Sequence, residues 1–164
     1  MSDAKIGCTF SLPHQHVLNS YVENFRRRAI HCQNSMLQHA YLTSKLRGRA
    51  YLHAVHILNC LSVPGSDHPP LKGGTCPFNL FHGYDPDYSI FVAPWGSSCM
   101  VKNVGAKSSQ LVPCSTYGIL TNVSSDCKSW EVYLPDKQTF VTTTHISVEP
   151  NMSKRLALVE KFDL

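Results

Sequence analysis

Asn19-Ser20-Tyr21-Val22-Glu23-Asn24-Phe25-Arg26-Arg27-Arg28, continuing through His31-Cys32 to Ala40, sets one carboxylate at the head of a basic, amphipathic stretch. Val22, Phe25, Ala29, Cys32, Met36 and Ala40 recur at steps of three and four, the spacing that lines up one face of an α-helix. This predicts a helix with those residues as its buried stripe and with Arg26, Arg27 and Gln38 turned away from it. Leu46, Ala50, Ala54, Ile57 or Leu58, and Leu61 repeat the period, which predicts a second helix N-capped by Ser44 after a short turn. Two stripes joined so closely pack as an antiparallel or crossed hairpin.

Beyond Leu61 the pattern breaks at Val63-Pro64-Gly65-Ser66-Asp67-His68-Pro69-Pro70-Leu71-Lys72-Gly73-Gly74, where clustered Pro and Gly mark a linker. From Thr75 the chain reads as β-structure. Ile90-Phe91-Val92, Met100-Val101, Tyr117-Gly118-Ile119-Leu120, Trp130-Glu131-Val132-Tyr133-Leu134 and Phe140 to Val148 are β-branched or aromatic runs between turn residues. Leu134-Pro135-Asp136-Lys137-Gln138 has the chemistry of a hairpin turn. Five short strands make a small barrel or a curled sheet, because a flat sheet would leave too much apolar surface wet. The expected fold is α+β, an amphipathic helix pair followed by a β-rich domain. Its parts are an irregular segment (1–18), the helices (19–62), the linker (63–74), the β-rich part (75–148) and a tail (149–164).

A chain of 164 residues, 43% hydrophobic and 16% charged, is long enough to bury a core and is not of disordered composition. A net charge of +4 suits a polyanion but is small for gripping DNA by charge alone, so the basic signal is local. Seven cysteines without paired spacing point to reduced thiols in an intracellular setting, the nucleus included, rather than a disulfide framework. The apolar run Ala50 to Leu61 is interrupted by His and Asn, so no membrane partner is expected.

Among chemistry-bearing residues, Glu23 is one carboxylate, and one alone cannot clamp two cations. It also stands four residues before Arg27, a spacing that favours an exposed helix by roughly 0.2–0.5 kcal/mol. Arg26, Arg27 and Arg28, with Lys45 and Arg49, form the dense basic cluster; they either contact nucleic-acid phosphates or make a solvated face. His53, His56 and Cys60 fall on one side of the second helix and include good zinc ligands, but no fourth ligand is evident. Cys8, His14 and His16 lie near one another without a closed-site spacing. The sequence has no nucleophile elbow, phosphate loop or dinucleotide fingerprint, so no small-molecule substrate is expected.

In its order, the chain resembles the end of the integrase core of copia-type LTR retroelements and the segment that follows it. That family closes its core with Asn-Gly-x-Ala/Val-Glu-Arg on an Arg-rich helix, then Leu-Pro-x-x-Leu-Trp-x-x-Ala and Ile-Leu-Asn-Arg. Here Glu23 takes the place of the last catalytic acid, and Ile57-Leu58-Asn59 matches the closing motif. The family continues with Thr-Pro-x-x-Leu-Phe-x-Gly-x-x-Pro-Asp, then Phe-Gly and a Tyr-x-Leu-Pro hairpin. Thr75 to Asp87, Trp95-Gly96 and Tyr133-Leu134-Pro135 follow that order. The likeness runs over roughly residues 7 to 148, with departures at Ser20, Asn24, Arg47 and Cys60.

The resemblance implies two aspartates ahead of Glu23 and Mg²⁺ as the intact enzyme's cofactor. Only Asp3 precedes Glu23 here, so the expectation is a truncated, non-catalytic fragment with no cofactor of its own. Its expected partners are DNA, bound weakly and without sequence preference, and integrase-like proteins; the alternative expectation is a retained DNA- or protein-binding module that interferes with intact integrase. A small zinc-stabilised domain is the third expectation. Val22, Phe25, Met36, Ile57 and Leu58 would normally cover core strands that precede them, so the helical half is expected to lack its sheet. Arg47, standing where the family has tryptophan, is expected to loosen the helix pair.

Overall fold

Helix α1 spans Ser20–Ala40 and stops where Tyr41 adopts a left-handed backbone, φ 53°. There the N–H of Leu42 returns to the carbonyl of Leu37 and that of Tyr41 to Gln38, both at 3.2 Å, the paired bonds of a Schellman ending. A tyrosine holds this glycine-like position because Leu42, just beyond it, is buried in the core where Leu37 packs. The computed structural model describes residues 20–61, 76–102, 115–125 and 127–149. The expectations for Asp3, Cys8, His14 and His16, for the linker and for the tail beyond Glu149 lie outside the described residues.

A short 3-10 turn, Ser44–Leu46, leads into α2, Arg47–Cys60. Ser44 is therefore inside the turn rather than the cap of α2, and Thr43, which precedes it, makes no side-chain cap bond. The helices meet through small residues: Ala29, Ala40, Ala50 and Ala54 are all fully buried, which brings the two backbones close. The sequence stripe on α1 holds only in its second half. Val22 is 69% exposed and Phe25 36%, while Ala29 and Ala40 are covered. Arg47 is exposed at the start of α2 rather than inserted into the core.

The stretch after the linker opens with a third helix that the β reading from Thr75 did not anticipate. Helix α3, Pro77–His82, has Pro77 in its first turn, the Cys76 thiol accepting the Asn79 N–H at 3.4 Å, and Gly83 at φ 77° as its stop. Ile90-Phe91-Val92 is likewise not a strand. The Asp87 carboxylate accepts the Ser89 N–H at 2.9 Å and winds Tyr88–Ile90 into a 3-10 turn, a local bond that outcompetes pairing.

The sheet consists of β1 (Ser98–Lys102), β2 (Ser115–Val123), β3 (Trp130–Leu134), β4 (Thr139–Thr143) and β5 (Ile146–Val148). All pairs are antiparallel, in the order β4-β3-β2-β1-β5. The run from Phe140 to Val148 is thus two strands, broken where the Thr143 hydroxyl accepts the His145 N–H at 3.2 Å. Those two strands lie on opposite edges, yet three residue steps separate Thr143 from Ile146. Three steps reach about 10 Å, whereas four strand spacings in a flat sheet would need about 19 Å. The sheet must curl to bring its edges together, and it remains open. The Pro135–Lys137 turn with Gln138 at φ 50° closes the β3–β4 hairpin, where the sequence places it.

Between Leu120 and Asn122 the register with β3 shifts, leaving Thr121 as a bulge. Its carbonyl accepts the Trp95 indole N–H at 2.7 Å, and its hydroxyl donates to Glu131 O at 3.0 Å. Trp95, Ile119, Leu42, Leu46, Ala40 and Ala50 form one buried cluster, with Met36, Tyr133 and Phe140 against it. The helix pair is therefore not without a sheet: it lies on β2 and its neighbours, and the two halves of the chain share this core.

Candidate functional site

Arg26, Arg27 and Arg28 are all exposed on the first half of α1. Arg27 donates to Asn24 Oδ1 at 3.0 Å, a bond within the helix that leaves its guanidinium at the surface. Arg26 lines a groove of about 490 Å³ between α1 and α2 together with Ile30, Gln33, Asn34, Arg47 and Tyr51. Arg26 and Arg27 also share a smaller cleft with Glu23, Ile30 and His31. Arg47 therefore belongs with the α1 arginines. From sequence Arg47 is expected at a core position of the helix pair, because nothing local says which way the start of α2 faces.

The two other basic candidates part company. Lys45 is exposed in the turn before α2. Arg49 is turned onto the sheet, where its Nη1 donates to both oxygens of Glu131 at 2.8 and 3.0 Å and its guanidinium sits 4.2 Å from the centre of the Phe140 ring. The pair is half-buried, so its attraction is less screened than that of a surface pair. In a double-mutant cycle of Arg49→Ala and Glu131→Gln, we expect a coupling of about 1 kcal/mol that shrinks with added salt. Urea unfolding of the four proteins measures it. A coupling near zero at low salt would mean that Arg49 acts only through Phe140.

The histidines of α2 also divide. His53 is buried, and its Nδ1–H donates to Asn122 Oδ1 at 3.1 Å; that oxygen also accepts the Val123 N–H at 2.9 Å, which fixes the histidine nitrogen as the donor. Burial pushes the His53 imidazole down to about 4, with the Asn122 bond opposing and His56 adding to the shift. Burial also lowers His56, with His82 adding to it, so both rings are neutral at neutral pH. His53 is committed to β2 and does not join Cys60.

His56 does. Its Nε2 lies 3.7 Å from Cys60 Sγ and 3.4 Å from the sulfur of Cys127, which comes from the β2–β3 turn. Cys127 was absent from the sequence reading; it lies 71 residues from His56, and no local spacing announces it. Cys60, Cys76, Phe78, Ile90, Val123 and Cys127 form a second buried cluster in which Phe91 and Trp130 also pack. Burial, then the neighbouring Cys127, push the Cys60 thiol up to about 12, so without a cation the sulfur keeps its proton. Beside this cluster, the Tyr88 hydroxyl donates to Cys60 O at 2.8 Å and pins the end of α2.

No family model, curated protein or solved structure matches this chain.

Proposed function

We propose that the chain is a non-catalytic module derived from the end of a copia-type integrase, and that it binds nucleic acid weakly and without sequence preference through α1. One observation carries the reading: Arg26, Arg27 and Arg28 are exposed together on one helix, and Arg47 faces the groove that Arg26 lines. Phosphate contacts of this kind give affinity but carry no base code. Glu23 stands among these arginines as an exposed carboxylate of α1. Lys45 adds an exposed charge in the turn before α2. Arg49, held by Glu131, contributes little.

Each lost phosphate contact lowers the slope of log K against log salt by about 0.9 on duplex DNA, so alanine at Arg26, Arg27 and Arg28 should flatten it by up to about 2.7. Arg49→Ala and Glu23→Gln should leave the slope nearly unchanged. Titrations against two unrelated duplexes at several salt concentrations measure both slope and preference. A marked preference for one duplex, or a slope unmoved by the triple substitution, would reduce the cluster to a solvated face.

A second reading is a protein contact with an integrase-like partner. It is favoured by Tyr21, 82% exposed, and Val22 beside the arginines, apolar surface that a phosphate backbone does not need. Titration of the chain against a purified intact integrase, with and without Tyr21→Ser and Val22→Ser, separates the two.

A further inference from the structure

Among the described residues, the one group of three side chains able to hold a metal ion is His56, Cys60 and Cys127, whose ligand atoms all lie within 4.8 Å of one another. We propose that these three bind Zn²⁺ through His56 Nε2, Cys60 Sγ and Cys127 Sγ, and so staple α2 to the β2–β3 turn. In a tetrahedral site with Zn–S of about 2.3 Å and Zn–N of about 2.0–2.1 Å, a nitrogen and a sulfur ligand stand about 3.6 Å apart. The two mixed edges here are 3.4 and 3.7 Å. The mixed edges therefore fit as they stand, and the Sγ–Sγ edge, no longer than 4.8 Å here against about 3.8 Å in such a site, has at most about 1 Å to close.

Local structure explains the placement. His56 and Cys60 are one turn apart on the same face of α2. Cys127 arrives from across the core on a turn closed by its own N–H to Ser124 O at 2.9 Å and by the Ser124 N–H to Ser129 O at 2.8 Å. Its backbone is left-handed, φ 55°, a conformation that costs a non-glycine residue of order 1 kcal/mol. That turn points its sulfur at His56. The imidazole is oriented in turn by edge packing on Phe78, ring centres 6.3 Å apart, and by Phe91 at 6.0 Å.

Two thiolates and an imidazole select a borderline-soft cation over Mg²⁺ or Ca²⁺, which prefer oxygen. On binding, each thiol gives one proton to solvent, so two protons leave as Zn²⁺ enters and no electron moves. The two thiolate charges then cancel the dication, and no net charge is left in the buried cluster. A cleft of about 420 Å³ lined by His56, Asn59, Phe78, Phe81 and His82 reaches the imidazole, the one ligand of the three that lines it, from solvent.

The full chain, stripped with chelator and kept reduced, should take up one Co²⁺ per molecule. It should then show the visible bands of tetrahedral cobalt and the near-ultraviolet thiolate-to-cobalt transition, both erased by one equivalent of Zn²⁺. Cys60→Ser and Cys127→Ser should each weaken Zn²⁺ binding by at least about 100-fold, more than the 10–100-fold that loss of an outer-shell partner costs. Cys32→Ser, on α1 and outside the cluster, should bind as the parent does. If the serine variants misfold, zinc X-ray absorption of the unaltered chain decides, and two sulfurs in the first shell support the site. A sulfur-free shell, no stoichiometric uptake by the reduced chain, or cobalt–thiolate bands that survive both serine substitutions would overturn it.

Discussion

Trp95→Ala should destabilise the protein by about 3–5 kcal/mol, the range for removing a large aromatic side chain from a core. Trp95 is 3% exposed and sits where α1, the turn into α2 and β2 meet, among Ala40, Leu42, Leu46, Ala50 and Ile119. Truncation removes packing from both layers at once. It also leaves the bulge carbonyl of Thr121 without the indole N–H that donates to it at 2.7 Å, and an unsatisfied buried carbonyl adds about 1–3 kcal/mol within that total. Trp95→Phe keeps a ring and loses the bond, so it should cost about half as much. Urea unfolding of the three proteins gives the order. An alanine variant within about 1 kcal/mol of the parent would show that the helix pair and the sheet do not depend on this contact.

Gly96→Ala should cost about 2–4 kcal/mol although it adds a single methyl group. Gly96 has φ +79° and is the third residue of a turn closed by the Ser97 N–H to Pro94 O at 3.2 Å, the position of a type II turn that requires a left-handed backbone. A Cβ there would also stand 2.5 Å from Ala40 Cβ, closer than two carbons approach, and Ala40 is fully buried. The Gly96 N–H is itself tied to Leu120 O at 2.8 Å, so the turn cannot move aside freely. Ala40→Gly in the Gly96→Ala background should recover the steric part of the loss and leave the backbone part. If the two substitutions simply add, the proposed close approach of α1 to this turn is wrong.

The candidate sites were legible in unequal measure. Arg26 and Arg27 point away from the apolar stripe by helical period, whereas Arg28, three residues from Phe25 and four from Cys32, is exposed because the first half of α1 is uncovered. Arg47 and Arg49 are two residues apart and face differently: one lines the groove with Arg26, and the other is held by Glu131 on β3. Period separates the two directions but does not say which one meets the sheet. The α2 histidines show the same limit. The pattern groups His53, His56 and Cys60, and tertiary contacts send His53 to Asn122 and bring Cys127 to the other two.

What the sequence by itself determined is what repeats within a few residues: α1 and α2 from steps of three and four, β2 and β3 from β-branched runs, and the Pro135–Lys137 turn from its composition. The order of helices before strands, and hence the α+β class, follows from these. Helix α3 was also within local reach, since Pro77 and Gly83 bracket it, but its cap is the Cys76 thiol, a residue that seldom signals a helix start. Only the tertiary structure decided the rest. Strand order β4-β3-β2-β1-β5 follows from the pairing of β5 with β1, and the distance between the outer strands forces the curl. The exposure of Val22 and Phe25, and the burial of Met36 against Trp95's cluster, depend on where the sheet ends beneath α1. Period fixes which residues share a face because it is a property of the backbone; which face is covered is settled by distant parts of the chain competing to bury apolar surface.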